Sequence, residues 1–307
     1  MSNSPLSELL EMLTFMRPAG SKTERRFIRR FLTPLGVIQD KAGNCIIRVG
    51  SGSSVLWSCH TDTVHKSGGT QLVEVSDGWA ALPKGSKSNC LGADDTVGVW
   101  LMWEMIRAKV PGLYVFHRGE ECGGIGSGFI ANNTPALLSG IEAAIALDRM
   151  GTKSVITHQC WRTCSDVFAE SLADALGMGH EKDDGGTFTD TAQYTDLVGE
   201  CTNLSVGYYA QHTAKECVDL EYVLKLRDAL CKFDESRLVY SRRPGQASEY
   251  ASASRFEPEA SAYSRYRSVY DVVRAYPSEM ADLLHELGFD TDALLMEAYV
   301  RGGDPAF

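Results

Sequence analysis

Side chains that can bind a metal ion collect at five points of this sequence, most of them directly after a predicted strand. The clusters are His60-Thr61-Asp62-Thr63, Gly92-Ala93-Asp94-Asp95, Glu120-Glu121, Asp148 and Gln211-His212-Thr213. In open α/β sheets the carboxyl ends of strands form the crevice in which ligands bind, so these clusters can converge in space. Their carboxylate oxygens and imidazole nitrogens suit zinc and do not exclude cobalt or manganese. The chemistry that this set indicates is metal-assisted hydrolysis.

The spacing within two clusters separates the roles of their residues. An extended backbone places His60 and Asp62 on the same side, about 6.5 to 7 Å apart along the chain. Asp62 is therefore available to accept the second ring N–H of His60, as carboxylates beside a metal-bound histidine often do. Glu120 and Glu121 point in different directions, so one can bind a metal ion while the other takes a proton from water.

Each cluster also has an ordinary structural explanation when it is considered alone. The pair Asp94-Asp95 stands before Thr96 and can be a helix N-cap that places carboxylates at the positive end of a helix. His60 alone can be a partly buried histidine with satisfied hydrogen bonds. The metal-site hypothesis therefore depends on the joint pattern of all the clusters.

Helices and strands alternate around these clusters. Ser4-Pro5 precedes a predicted helix over LSELLEMLTFM (6–16), and Ser21-Lys22-Thr23-Glu24 fits a capping box for a second helix ending near Leu32. Strands are predicted at VIQD (37–40), CIIRV (45–49), VLWSC (55–59), LVEV (72–75), LYVFH (113–117) and AAIAL (143–147). The apolar segment 96–109 predicts a helix between two of them. The pattern predicts an α/β fold with a mixed sheet, because several early strands follow each other too closely for helical crossovers.

The composition changes after residue 241, which predicts a boundary between a catalytic domain (1–241) and an extension (242–307). From Arg242 to Tyr270 the chain is rich in Ser, Ala, Arg and Tyr and has almost no aliphatic periodicity, as in a linker or surface arm. After it, Ser278 can cap a helix over EMADLLHEL, and Thr291 or Asp292 can begin another over ALLMEAYVR. The extension is therefore predicted to end in a helical hairpin.

The overall charge and composition exclude several classes of function. The chain has 307 residues, of which 44% are hydrophobic, and a formal net charge of -10, which argues against nucleic acid or an anionic membrane as a partner. Its apolar runs are shorter than the roughly 20 residues that a membrane span needs. Nine cysteines without a C-x-x-C pair, and an N-terminus without a basic leader, predict a reduced, cytoplasmic protein.

Five motifs, in order along about half the chain, resemble those of the co-catalytic di-zinc exopeptidases. This group includes bacterial leucyl aminopeptidases, glutamate carboxypeptidases and peptidase T. The motifs are HTDT (60–63), LGADDTVG (91–98), GEECGGIGS (119–127), ALD (146–148) and SVGYYAQHT (205–213). The resemblance implies the three-layer α/β/α architecture of zinc exopeptidases (phosphorylase/hydrolase-like), with the helical C-terminal extension as a departure from it.

The same resemblance implies the role of each site residue. The implied ligands are His60, Asp94 and Asp148 for one zinc ion, and Asp94, Glu121 and His212 for the other. Glu120 would be the general base, and the Asp62 carboxylate would orient His60. The peptide bond between Asp94 and Asp95 would be cis. The charges of three ligand carboxylates, two divalent ions and one bridging hydroxide cancel, which a partly dry cleft tolerates.

The function implied is hydrolysis of an amide bond, with an aminopeptidase as the first expectation and a peptide or N-acyl amino acid as substrate. A carboxypeptidase, a deacylase or a glutaminyl-cyclase-like enzyme could use the same metals, and a non-catalytic binding protein could use the same scaffold. Relatives insert a dimerisation domain between the residues matching Asp148 and His212, or another domain between those matching His60 and Asp94. The gaps of 64 and 34 residues here fit neither insertion. No oligomeric state is predicted.

Two further segments have open roles at this level. The segment Gly185 to Asp196 stands where such enzymes carry a substrate-facing loop. Tyr208 or Tyr209 could stabilise an oxyanion, although a tyrosine pair after a strand is more often packing.

Overall fold

The computed structural model describes residues 6–245, and 22 helices and strands in this range position the site. Helices α1 to α6 are Ser7–Leu13, Lys22–Phe27, Ala93–Arg107, Ile125–Asn133, Asp166–Leu176 and Leu220–Leu230. Strands β1 to β8 are Phe15–Met16, Ile38–Gln39, Cys45–Val49, Val55–His60, Gly69–Thr70, Glu74–Ser76, Trp79–Ala81 and Gly112–His117. Strands β9 to β16 are Ala143–Arg149, Ser154–Ile156, His158–Gln159, Trp161–Arg162, Glu181–Asp183, Glu200–Ser205, Tyr208–Tyr209 and Cys217–Asp219. A π-helix (Ile28–Leu32) and short 3₁₀ helices (Thr33–Leu35, Pro135–Leu138, Asp190–Tyr194 and Glu235–Arg237) complete the list.

The centre of the fold is an eight-stranded mixed sheet with the order β13-β10-β14-β9-β4-β8-β3-β2. The four middle strands β14, β9, β4 and β8 are parallel, whereas β3 and β2 join antiparallel at one edge. Every residue of β4 and β8 is buried, as expected for parallel strands that helices cover on both faces. The mixed sheet predicted from the sequence is confirmed.

Alternate residues of the central strands pack into two separate apolar clusters, one on each face of the sheet. Trp57 and Ile145 belong to the larger cluster, which includes residues of α1, α3, α5 and α6. Leu56 and Ala144 belong to the smaller cluster, with Ile130 of α4. This alternation follows from the two-residue period of a strand. The sheet therefore lies between two layers of helices, as the resemblance implied.

The first two helices are shorter than predicted. Helix α1 ends at Leu13 because Phe15 and Met16 form β1, which pairs with Thr70 and Gly69 of β5. Ser21 caps α2 as expected, since its hydroxyl accepts a hydrogen bond from the Glu24 N–H at 3.0 Å. Regular α-helix then ends at Phe27, and the chain continues as the π-helix to Leu32.

The predicted strand 72–75 is displaced and belongs to a different sheet. The observed strand β6 begins at Glu74 and forms a hairpin with β7, and both lie in a four-stranded sheet with β15 and β16. Asp77 and Gly78 make the turn with positive φ angles of 51° and 83°. An Asp-Gly pair is the typical signal of a tight hairpin turn, so the sequence contained this information.

Helix α3 begins with the predicted cis peptide bond between Asp94 and Asp95. Both residues have non-helical backbone angles, so regular helix starts after them, close to the predicted Thr96. The helix ends at Arg107, two residues before the predicted end.

The predicted arm and helical hairpin lie outside the described residues, apart from 242–245. Those few residues contact the body, since the backbone N–H of Arg242 donates to the Glu200 carboxylate at 2.7 Å and that of Gly245 donates to the Thr195 carbonyl at 3.1 Å. The boundary after residue 241 stays a prediction. Within the described range, no helix combines the length and the apolar character that a membrane crossing requires.

We predict that Gly98→Ala lowers the free energy of unfolding by about 1–3 kcal/mol, the usual cost of overpacking a core. A Cβ atom at Gly98 would overlap the carbonyl oxygen of Leu147 in β9 and approach the Asp95 carboxylate, so α3 could not lie this close to the sheet. Urea denaturation of the wild type and the variant measures the difference.

Gly128→Ala in α4 is the matched control. Its Cβ would meet the flexible Gln193 side chain at 3.3 Å, so the helix should lose no stability and gain up to about 1 kcal/mol. Equal stability of the two variants would contradict the close packing of α3 on β9.

Candidate metal centre

Three neighbouring parallel strands carry predicted ligands at their carboxyl ends. His60 is the last residue of β4, Asp148 lies near the end of β9, and Glu121 follows β8 by four residues. The register pairs His60 with His117, the last residue of β8, so the three strands end at the same edge of the sheet. The sheet therefore brings together groups that are far apart in the sequence.

A first group of metal-binding atoms surrounds His60. Its Nε2 lies 3.0 Å from Asp94 Oδ1 and 3.5 Å from Asp148 Oδ1. One atom from each of these three residues lies within 4.8 Å of the other two. His60 is buried, and Asp94 and Asp148 are almost completely buried side chains.

A second group shares Asp94 with the first. His212 Nε2 lies 2.9 Å from Glu121 Oε1 and 3.2 Å from Asp94 Oδ2, and these three residues also meet the 4.8 Å limit. The two oxygens of Asp94 therefore face different histidines. His212 follows β15, has a positive φ of 64°, and leaves 48% of its side chain exposed. The two groups consist of the same residues as the two ligand sets that the resemblance implied, and metal binding by them stays a prediction.

Glu120 lies beside the groups and belongs to neither. It forms a further cluster with His60 and Glu121 within 4.8 Å. Burial raises the pKa of Glu120 to about 9, with help from the carboxylates of Asp148 and Asp190. Divalent ions at the neighbouring ligand groups would favour the ionised carboxylate and lower this pKa, so that Glu120 could accept a proton next to the ligands.

Asp62 is placed differently from its predicted role. His60 Nδ1 lies 3.0 Å from the backbone oxygen of Asp62 and 3.7 Å from its carboxylate, so the closer partner of the ring is the backbone. The Asp62 carboxylate accepts hydrogen bonds from the N–H groups of Gly119 and Glu120 at 2.8 and 3.3 Å. Asp62 thus contacts both His60 and the loop that carries Glu120.

Crowding of the carboxylates shifts several pKa values. Burial and the nearby Asp94 charge raise the pKa of Asp148 to about 6. Hydrogen bonds to Asp94 and Glu121 raise the pKa of His212 to about 10. Neighbouring carboxylates contribute to both shifts, because gathered negative charge favours a bound proton, whereas burial adds to the shift of Asp148 and opposes that of His212.

Three residues that the sequence analysis did not assign hold Asp148 in place. Thr189 Oγ1 donates to Asp148 Oδ2 at 2.7 Å, and the Tyr208 hydroxyl donates to Oδ1 at 3.3 Å. Asn203, on the adjacent strand β14, bonds to the backbone N–H and carbonyl of Asp148 at 3.0 and 2.9 Å. Tyr208 is 1% exposed, and its packing and its hydrogen bond to Asp148 explain why a tyrosine stands at this position. Thr189 gives the segment Gly185 to Asp196 a structural role at the site.

Glu216 holds the loop in front of α3. Its carboxylate accepts hydrogen bonds from the backbone N–H groups of Gly92 and Asp94 at 2.7 and 3.0 Å. The side chain is 1% exposed, and burial raises the pKa of Glu216 to about 7. This fixes the backbone from which Asp94 extends.

Arg17 connects the end of β4 to the beginning of α3. Its Nε donates to the Thr61 carbonyl at 2.8 Å, and its Nη2 donates to the Thr96 hydroxyl at 2.9 Å. The side chain is completely buried, and its guanidinium lies 4.1 Å from the centre of the Phe27 ring. Arg17 therefore fixes the turn after β4 against the beginning of α3.

The site opens into a cavity of about 150 Å³. Its lining includes the side chains of Glu120, Glu121 and His212, together with two residues of the segment Gly185 to Asp196, Thr187 and Phe188. The ligands are therefore within reach of a small molecule from solvent.

Comparison with known proteins identifies the fold. No protein-family model matches the sequence, and no curated protein matches it. The solved aminopeptidase PepT from Bacillus cereus aligns at 15% identity over 74% of this chain and 96% of that chain, with a TM-score of 0.60. A tripeptidase from Staphylococcus aureus aligns at 15% identity over 74% and 96%, also with a TM-score of 0.60. An aminopeptidase from the archaeon Desulfurococcus kamchatkensis aligns at 14% identity over 75% and 94%, with a TM-score of 0.55.

These structures define the class of fold to which the described domain corresponds. It is the α/β fold of solved aminopeptidases, with a large mixed sheet between helices. The fold class predicted from the motifs is thereby confirmed.

We predict that Asp94→Ala removes nearly all metal from the zinc-loaded protein, because Asp94 contributes one oxygen to each ligand group. His212→Ala should lose about half, since it belongs to only one group. Elemental analysis after dialysis against metal-free buffer measures the content.

His158→Ala is the control for these variants, because His158 bonds to Thr157 in the β11–β12 hairpin and belongs to neither ligand group. It should retain the wild-type content. Full retention of metal in Asp94→Ala would contradict the shared-ligand arrangement.

Proposed function

We propose that this protein is a metal-dependent aminopeptidase that uses two divalent ions, with zinc as the most suitable metal. The observation that carries the proposal is the pair of ligand groups that share Asp94, with Glu120 beside them and outside both. The fold of solved aminopeptidases supports the same class of activity.

The donor atoms fit zinc in type, and three of their four separations are slightly shorter than those around a bound zinc ion. Three carboxylates and two imidazoles are ligands that zinc accepts, and cobalt or manganese would accept them too. Donors about 2.0–2.2 Å from a tetrahedral zinc lie roughly 3.3–3.6 Å apart. The donor pairs here are separated by 2.9 to 3.5 Å. Divalent ions would also offset the repulsion that raises the pKa of Asp148.

Bound at these ligands, two divalent ions would polarise the carbonyl of the scissile bond and make water a stronger nucleophile at neutral pH. In the proposed reaction, Glu120 accepts the proton of the attacking water and passes it to the leaving amine. The hydrogen bond from the Glu120 N–H to Asp62 fixes the backbone of the base. Thr189 and Tyr208 hold Asp148 in its ligand orientation.

The acidic lining of the cavity favours an aminopeptidase over the alternatives. Four carboxylates face the substrate space, from Asp94, Glu120, Glu121 and Asp148. The two ions and a hydroxide would balance the charge of the three ligand carboxylates, so Glu120 is the carboxylate left to attract the protonated α-amine of an unblocked peptide. A deacylase substrate carries a neutral acyl amide in that position and gains nothing from this charge.

The proposed location is the cytoplasm. All nine cysteines are free in the structure, with Cys122 and Cys160 exposed. Unpaired, exposed thiols fit a reducing compartment.

The proposed function is tested with matched peptides that have a free or an acetylated N-terminus, assayed with zinc, cobalt and manganese before and after chelation. We expect hydrolysis of the unblocked peptides only, lost on chelation and restored by metal. Preference for the acetylated peptides would indicate a deacylase or carboxypeptidase. Failure of the metal-loaded protein to cleave any peptide would favour a binding protein on this scaffold.

We predict that Glu120→Gln retains wild-type metal content and loses at least about 100-fold in kcat, the usual contribution of a general base. The amide has nearly the same shape as the carboxylate and cannot accept the proton. Steady-state kinetics and elemental analysis on the same sample separate catalysis from metal binding.

Glu142→Gln is the matched control, because Glu142 is exposed just before β9, at the opposite end of that strand from Asp148. It should keep wild-type kcat. Activity of Glu120→Gln close to that of this control would remove Glu120 from the role of base.

A further inference from the structure

The cavity above the ligands contains one permanently charged cation. Among the described residues that line it, Arg149 is the only arginine or lysine. It stands beside four carboxylates, and it directly follows Asp148 at the end of β9. A guanidinium in this place is not needed to hold the ligands, since none of their described hydrogen bonds comes from it.

Arg149 is held by one end and keeps donors for another partner. Its Nη2 donates to the Gly185 carbonyl at 2.9 Å. Its Nε is buried, and among the described residues no acceptor hydrogen-bonds to it. Its Nη1 makes no hydrogen bond with the described residues, so this end of the guanidinium can donate to an acceptor that enters the cavity.

We propose that Arg149 binds a carboxylate of the substrate and thereby selects short peptides that carry one close to the scissile bond. The inference rests on the proposed function and names its substrate class. The planar guanidinium binds a carboxylate through two parallel hydrogen bonds, a geometry that other cationic side chains do not offer. Because Arg149 is the only arginine or lysine among the described residues of the lining, it is the permanently charged side chain that attracts a carboxylate there.

Charge then orients the peptide. The α-amine lies toward Glu120, and the substrate carboxylate lies toward Arg149. Because each residue of an extended chain spans about 3.3–3.6 Å, a dipeptide or tripeptide extends roughly 7–10 Å between these ends.

Two sources of the carboxylate share this chemistry: the C-terminus of a very short peptide and an Asp or Glu side chain after the scissile bond. Three substrates with the same N-terminal leucine distinguish them, namely Leu-Ala, Leu-Ala-amide and Leu-Glu-amide. The readout is the ratio of kcat/KM for each acidic substrate to kcat/KM for Leu-Ala-amide. A ratio cancels any general effect of a variant on folding or metal content.

For the zinc-loaded wild type we expect a ratio of at least about tenfold for one acidic substrate, which identifies the source. Arg149→Met should reduce this ratio to near one. Arg149→Lys, which keeps the charge and loses the planar pair of donors, should give an intermediate ratio. Arg107→Met, at the far end of α3 from Asp94, is the control and should keep the wild-type ratio.

Two results would overturn the inference while leaving the proposed function intact. One is a wild-type ratio near one for both acidic substrates, and the other is an unchanged ratio in Arg149→Met. If the wild type cleaves none of the three substrates, the proposed function and the inference fail together. Equal losses in Arg149→Met and Arg107→Met would also reject a specific role for Arg149.

Discussion

The rest of the structure depends on how the fold compensates the repulsion between carboxylates that are buried close together. The ligand groups place Asp94, Asp148 and Glu121 around two imidazoles, and the fold must compensate this charge before any ion contributes. It does so with backbone and side-chain donors. Asp95, directly beside the ligands, accepts from the N–H groups of His60 and Gly98 at 3.2 and 2.9 Å. Divalent ions would supply the positive charge that these dipoles provide only in part.

The central sheet determines where this charge accumulates. Strands β9, β4 and β8 are parallel neighbours, so their carboxyl ends coincide, and helices on both faces keep water away from the strands themselves. Of the other two predicted ligands, Asp94 lies at the beginning of α3, and His212 lies between β15 and β16 of the smaller sheet. That sheet also contains the β6–β7 hairpin from the segment between His60 and Asp94. The segment between His60 and Asp94 therefore forms part of the sheet that positions His212.

The sequence predicted the fold class and the residues that gather at the site, because each motif is a short local pattern at the end of a strand or at a helix start. It did not predict the residues that hold the site from a distance. Arg17 bonds to Thr61 across 44 positions, and Glu216 bonds to Asp94 across 122. An isolated arginine or glutamate has no local signature of burial, so only the tertiary fold identifies such partners. The same reason explains Asp62, whose carboxylate contacts a loop 57 positions away.

The position of His212 has a consequence for protein synthesis. Ligands leave the ribosome in the order 60, 94, 121, 148 and 212, and the first ligand group is complete long before the second. The His212 loop is fixed only when β16 has emerged and paired with β7, with Cys217 opposite Ala81. A nascent chain that ends before this point lacks the second ligand group, however well its sheet has formed. The second residue group is therefore completed late in the synthesis of the described domain, after the chain of β4, β8 and β9 has already been made.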